Sequence, residues 1–192
     1  ISQKLLITND NYIFDINLNN KDRKTLSNIE KNTINLGELL KISTGIKEYQ
    51  TGKGIPKQTL ADKDNRIFNS FSKKNDTFIP ELRGKNISNY SFSWENEYVS
   101  YGKWLAEPRD FSFFMGERIL LRKIPSKYHL VSTYINQDFI IDQSLYIGKI
   151  NHELYNIKYI LTLVNSRLIC WHFKYKNNEF DELFPQIKIN QF

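Results

Sequence analysis

Residues 118–148, "RILLRKIPSKYHLVSTYINQDFIIDQSLYIG", decide how the 192-residue chain folds. Four strand-like pieces follow one another here, "RILLRKI" (118–124), "HLVSTYI" (129–135), "FIID" (139–142) and "SLYIG" (144–148). Pro125-Ser126 and Asn136-Gln137 punctuate them as turns. Connections this short cannot hold crossover helices, so the pieces predict neighbouring antiparallel strands in a curved sheet. Upstream, "EYVSY" (97–101) reads as a further strand, and "KLLITNDNYIFDINL" (4–18) as two short strands around Asn9-Asp10-Asn11. A polar stretch, 19–35, leads to a short helix in "NLGELLKI".

Downstream of the strands, "ELYNIKYILTLVNSRLICWHFKYK" (153–176) repeats Ile157, Ile160, Leu161, Val164, Leu168 and Trp171 at three- and four-residue steps. That spacing predicts one long amphipathic helix with its apolar stripe on the sheet. The expected fold class is α+β: a curved, mostly antiparallel sheet with a long C-terminal amphipathic helix packed on it. These elements are expected to form one mixed domain.

A content of 14% aromatic and 40% hydrophobic residues describes a chain able to bury a core. No apolar run approaches the ~18 residues of a membrane span, and the N-terminus lacks the layout of a signal peptide. The single cysteine, Cys170, can form no internal disulfide, which suits a cytoplasmic location.

The net charge of +6 is unevenly placed. Residues 1–40 carry five basic and five acidic residues and 129–192 six of each, whereas 41–128 carry sixteen against ten. A cationic segment in an otherwise balanced chain points to an anionic partner such as nucleic acid. A solvated lysine-rich surface is the plainer alternative.

Two motifs lie inside that segment. "STGIKEYQTGKGIPKQT" (43–59) looks at first like a phosphate loop. Counting back from Gly52, however, puts Lys47 where the first glycine should stand, Gly54 replaces the hydroxyl residue, and Pro56 would break the required helix. "FIPELRGKNISNYSFSWENEYVSYGKW" (78–104) contains Arg83-Gly84-Lys85-Asn86, whose donors suit phosphates and purine edges. Tyr90, Phe92 and Trp94 alternate after it, either as the buried face of a strand or as a platform on which bases stack.

Chemistry of other kinds is poorly supported. His129, His152 and His172 are scattered, Cys170-x-His172 offers only two neighbouring ligands, and no Gly-x-Ser-x-Gly elbow occurs. In Glu81-Leu82-Arg83 an arginine stands where a Glu-x-Lys nuclease needs lysine, and Asp181-Glu182 read as loop residues. The chain reads as a binder.

The order "GIKEYQTGKG…PKQT", "LRGKNISNY", "RILLRKI", "QSLYIG", "YILTLVNSRL", "FPQIKI" resembles the TaqI-like C-terminal specificity domain over residues 36–192. This is the target recognition domain of adenine-specific DNA methyltransferases and type IIG restriction-modification enzymes. The resemblance implies a double-stranded DNA recognition module without catalytic activity of its own. It implies a recognition domain over 36–192, with 1–35 as N-terminal strands and a junction to an upstream methyltransferase domain, fused in some members to an endonuclease, that needs SAM and Mg2+. The family's cofactor-binding glycine motif and its Asn-Pro-Pro-Tyr/Phe motif are both missing here, and the chain begins without methionine, as an excised domain would.

Within that reading, Lys53, Lys57, Arg83, Lys85, Arg122 and Lys127 are expected to hold phosphates or bases, and Gln58, Asn86 and Gln143 to read adenine edges through paired amide bonds. No metal or cofactor is expected on this chain, and a monomer without membrane attachment is expected. A recognition domain of a type I specificity subunit, a protein-interaction domain with an acidic partner, and an RNA or single-strand binder are the alternatives.

Overall fold

The computed structural model describes residues 18–126, 129–152, 154–177 and 186–189. The two strands expected around Asn9-Asp10-Asn11 and the Asp181-Glu182 pair lie outside these. The helices are α1 (Asn20–Ile29), α2 (Leu36–Leu39), α3 (Leu60–Asp64), α4 (Ile157–Val164) and α5 (Arg167–Asn177). The strands are β1 (Leu40–Thr44), β2 (Asn69–Ser70), β3 (Phe78–Leu82), β4 (Ile87–Ser88), β5 (Ser91–Phe92), β6 (Tyr98–Ser100), β7 (Arg118–Arg122), β8 (Ser132–Ile135), β9 (Ile140–Ile141) and β10 (Leu145–Ile150).

The expectation of one curved sheet is overturned. The strands divide into a four-stranded sheet of order β1-β10-β7-β8, a second of order β2-β6-β3-β9, and the hairpin β4-β5, and none curls or closes. Three of the four consecutive segments that open the argument, β7, β8 and β10, do share the first sheet, all antiparallel. The fourth, β9, leaves it and pairs in parallel with β3, Glu81 opposite Ile140 and Leu82 opposite Ile141. Both isoleucines of β9 are fully buried. A two-residue apolar segment has no alternation by which to choose a face, so periodicity could not assign it.

The first sheet is covered on both faces, which is why β7 and β10 read as nearly continuous apolar runs. Ile119, Leu121 and Tyr146 point into one core with Ile157, Ile160, Leu161 and Val164 of α4 and Cys170 and Phe173 of α5. The alternate residues Leu120, Leu145 and Ile147 point into a second core with Leu82, Val99, Ile140 and Ile141 of the other sheet. The layers are helices, first sheet, second sheet.

The long helix is also corrected to two. Asn165 caps the end of α4, its N–H donating to the Leu161 carbonyl at 3.0 Å, and the Ser166 hydroxyl accepts from Ile169 N–H at 3.2 Å to start α5. The break is held in place by the buried Asn165 side chain. Its oxygen accepts from Ser132 N–H (3.1 Å) and Ser132 Oγ–H (2.7 Å), and its amide donates to Ser132 O (3.0 Å). Past the break the stripe changes phase: Leu168 is exposed, Trp171 is half-buried and stacks on Tyr175 at 4.3 Å, and Cys170 and Phe173 turn inward.

Of the aromatic ladder, Phe92 and Trp94 pack edge-on against Phe139 beside the second core, whereas Tyr90 is exposed on the β4-β5 turn at φ 66°. Near the turns at the other end of β7, Arg118 is fully buried. Its guanidinium donates to the carbonyls of Gly116 (2.6 Å), Gln137 (2.7 Å) and Phe139 (3.3 Å), and burial lowers its pKa to about 10. No described helix is long and apolar enough to cross a membrane.

Candidate functional site

The register of the two sheets brings several chain ends together. Thr44, at the end of β1, lies opposite Tyr146, and Arg122, at the end of β7, lies opposite Leu145. Because β3 and β9 are parallel, they finish side by side, so Arg83 and Asp142 leave the second sheet at the same place. Backbone bonds tie these exits: Ile46 N–H to Ile141 O (2.7 Å), Asp142 N–H to Leu82 O (3.1 Å) and Lys123 N–H to Ser144 O (3.0 Å). Gly45 must be glycine here, since a Cβ would lie 2.0 Å from the Asp142 carbonyl oxygen.

Residues 47–58 then rise as a lobe with 102–107. Lys47 and Glu107 exchange backbone bonds at 3.0 and 2.9 Å, and Ile55 N–H donates to Lys103 O at 2.9 Å. Gly54 sits at φ +82°, where a Cβ would meet the Trp104 carbonyl oxygen at 2.2 Å. Gly45 and Gly54 thus serve close approach of two backbones, while Gly52, also at φ +82° but with open space around it, serves the turn. Gln58 fastens the lobe from within. It is buried, its amide donates to Glu48 O (2.8 Å) and Trp104 O (2.7 Å), and its oxygen accepts from Gln50 N–H (2.8 Å). Lys53 and Lys57 are exposed on the outside, and no ion pair involves them among the described residues. Lys103, which the sequence reading did not single out, is exposed beside them, next to an Ile55 that is 63% exposed. Its signal was a third Gly-Lys pair, Gly102-Lys103.

Arg83 points into the protein. Its guanidinium bonds Glu48, Glu81 (2.7 Å from Nη2) and Glu97 (3.0 Å from Nε). Burial alone would weaken its charge, but Glu81 and Glu48 outweigh that and hold it more firmly protonated than usual. Burial, then the neighbouring negative Glu48, push the fully buried Glu81 carboxyl well above the usual carboxylate range, and Arg83 offsets only part of this. Lys85 is exposed yet paired with Glu95 (2.7 Å) and Glu97. Asn86 is buried, its oxygen accepting from Arg83 N–H at 2.8 Å.

Gln143 contrasts with the other two amides. It is exposed and makes no side-chain hydrogen bond among the described residues, yet its backbone neighbours are pinned. Asp142 accepts from Ser144 N–H at 3.1 Å, Leu145 N–H donates to Asp142 O at 3.2 Å, and Ser144 Oγ accepts from Gly84 N–H at 2.7 Å. Arg122 is half-exposed at the adjoining end of β7, and Lys127 lies outside the described residues. The structure therefore brings Arg83, Asn86, Arg122 and Gln143 to connected exits, sets Lys53, Lys57 and Gln58 on the lobe that leaves them, and ties Lys85 to Glu95 and Glu97.

His172 pairs with Glu30 on α1 at 3.0 Å, and among the described residues no group of three His, Cys, Asp or Glu side chains could hold a metal ion. No curated protein matches the chain. The model of the TaqI-like C-terminal specificity domain matches residues 79–192, well over half of it, and this span holds Arg83, Lys85, Asn86, Arg122 and Gln143. The chain belongs to that family, and it is a DNA-recognition domain of the type IIG restriction-modification kind whose part is specificity and not catalysis.

Proposed function

We propose that the joined sheet exits and the glycine-lysine lobe form the face that meets double-stranded DNA. Lys53, Lys57 and Lys103 neutralise phosphates, Arg122 adds a cation nearer the sheet, and Gln143 reads an adenine edge with the paired donor and acceptor of its amide. Gln58 and Arg83, bonded within the protein, and Asn86, buried with its oxygen on Arg83 N–H, hold the loops instead of touching bases, and Lys85 is neutralised by its glutamates. The observation that carries this reading is the contrast among the three amides: Gln143 is exposed and uncommitted on a pinned turn, whereas Gln58 and Asn86 are buried and out of reach of a ligand.

Residues 1–35 join this domain to an upstream adenine-specific methyltransferase, with or without a fused endonuclease; SAM and Mg2+ serve those domains. The protein works as a monomer in the bacterial cytoplasm. The Tyr90, Phe92 and Trp94 ladder does not form a continuous stacking platform, because Phe92 and Trp94 are packed against Phe139.

A duplex library with randomised central positions tests the reading. The chain should bind it in a steeply salt-dependent manner and enrich one short site, and Gln143→Ala should flatten the enrichment at a single position without weakening total binding. Absence of duplex binding at low salt would refute it.

A further inference from the structure

We propose that Glu48 is a positioning residue that sets the distance between the lysine lobe and the Gln143 turn, and so couples phosphate contact to base reading. The inference rests on the DNA reading above. Glu48 belongs to both bodies at once. Its backbone carbonyl accepts from the Gln58 amide at 2.8 Å and from Ala106 N–H at 3.2 Å, inside the lobe. Its carboxylate reaches the second sheet, where it takes bonds from Arg83 and from Asn69 of β2, the latter at 2.7 Å. Arg83 is fixed in turn by Glu81 on β3 and by Glu97 just before β6, at 2.7 and 3.0 Å. The next residue, Gly84, donates from its N–H to Ser144 Oγ, beside Gln143.

A continuous chain of charge-assisted and backbone bonds thus runs from the lobe to the reading turn. Such bonds are shorter and more directional than neutral ones, so they fix position as well as energy. The base of the lobe is anchored separately. Ile46 and Leu105 are buried in the second core, and Tyr49 stacks on Phe68 at 5.2 Å while its hydroxyl donates to Asn69 Oδ1 and accepts from Phe68 N–H, each at 2.8 Å. Loss of the Glu48 charge therefore leaves the lobe folded and releases its setting. Arg83 and Asn69 bond the same oxygen, Oε1, so in Glu48→Gln the amide oxygen can still meet both groups, but without the negative charge that draws the Arg83 guanidinium across and makes the bond directional.

The test uses the whole chain and the randomised duplex library, with total affinity, site enrichment and melting temperature measured for wild type and Glu48→Gln. The variant should bind the library no more weakly and with an unchanged salt slope. Its enrichment should fall by about tenfold, the size of one bidentate base contact. Hydrogen exchange at the Ile55 and Gln58 amides should speed up while that of β7 and β10 stays the same. If Glu48→Gln does not fold, Asn69→Asp, which keeps an oxygen to accept from the Tyr49 hydroxyl and removes the N–H donated to the Glu48 carboxylate, carries the same test. Retained enrichment in a folded variant overturns the proposal, as does a loss of enrichment that only follows a fall in total affinity and melting temperature. A wild-type chain that binds the library but enriches nothing overturns the base-reading assignment beneath it, a failure seen without any variant.

Discussion

Replacing Lys53, Lys57 and Lys103 together by alanine is the sharpest test of which face meets DNA. All three ammonium groups are exposed, and no ion pair involves them among the described residues. If each neutralises one phosphate, each contributes about 0.9 to the slope of log affinity against log salt, so the triple variant loses about 2.7. Over a fourfold rise in salt that corresponds to a sensitivity of about 3.5-fold per lysine and about 40-fold for the three. Lys85→Ala is the matched control. It removes the same charge from the chain, but one already held by Glu95 at 2.7 Å and by Glu97, and its slope should scarcely change. Fluorescence anisotropy on one labelled duplex across a salt series measures both. Folding is not expected to interfere, because exposed substitutions without partners usually shift stability by less than ~0.5 kcal/mol. A triple variant with the parental slope, or a Lys85→Ala slope change as large as that of Lys53→Ala, would refute the assignment of the lobe to the phosphates.

Gln143→Ala should cost about 1–3 kcal/mol on the enriched site and nothing on random duplex, read from paired titrations. Asn165→Ala orphans the buried N–H and hydroxyl of Ser132, whose carbonyl keeps the Tyr90 N–H, and should destabilise the fold by about 3 kcal/mol in urea titration, with a loss under ~1 kcal/mol showing that the helix break is not held there. The Glu81 carboxyl titrates above its usual value in the fold, so its stabilising share is complete below the unfolded pKa and lost as pH rises through the folded one. Glu81→Gln, always neutral, should therefore compare better with wild type at pH 8 than at pH 4.5 in thermal melts, and an opposite trend would show Arg83 dominating Glu81.

The fold was legible where side chains keep a simple period and illegible where a short bond overrides it. Ile157, Ile160, Leu161 and Val164 announced α4 correctly, because four residues at helical spacing leave one choice of face. The same pattern extended through Leu168 and Trp171 was wrong. Asn165 and Ser166 are ordinary helix-end residues, but what makes them a boundary is Ser132, 33 positions earlier. Likewise β9 looked like a neighbour of β8 and β10 in one sheet, and nothing in "FIID" records that its partner is β3, nearly sixty residues upstream. Curvature was inferred from close strand spacing alone, and spacing does not distinguish one bent sheet from two stacked ones.

For the site the division is chemical. A sequence displays donors without showing which are already in use, so Gln58, Asn86 and Gln143 looked equivalent as adenine readers. Their environments separate them: Gln58 bonds three backbone groups of its own lobe, Asn86 caps the Arg83 turn, and Gln143 alone keeps its amide outside. Glu81 and Arg83 are two apart, and a strand places such residues on one face, so their pairing could be read locally. Glu48 and Glu97, which complete the cluster, come from a loop and a strand approach that only the tertiary fold brings together. The consequence for recognition is specific. A base-reading amide on a mobile loop loses part of its binding energy to ordering, at roughly 0.5–1.5 kcal/mol per immobilised side chain. On the turn at Gln143 the backbone is already held by Asp142, Ser144 and Gly84, so that cost falls on the side chain alone.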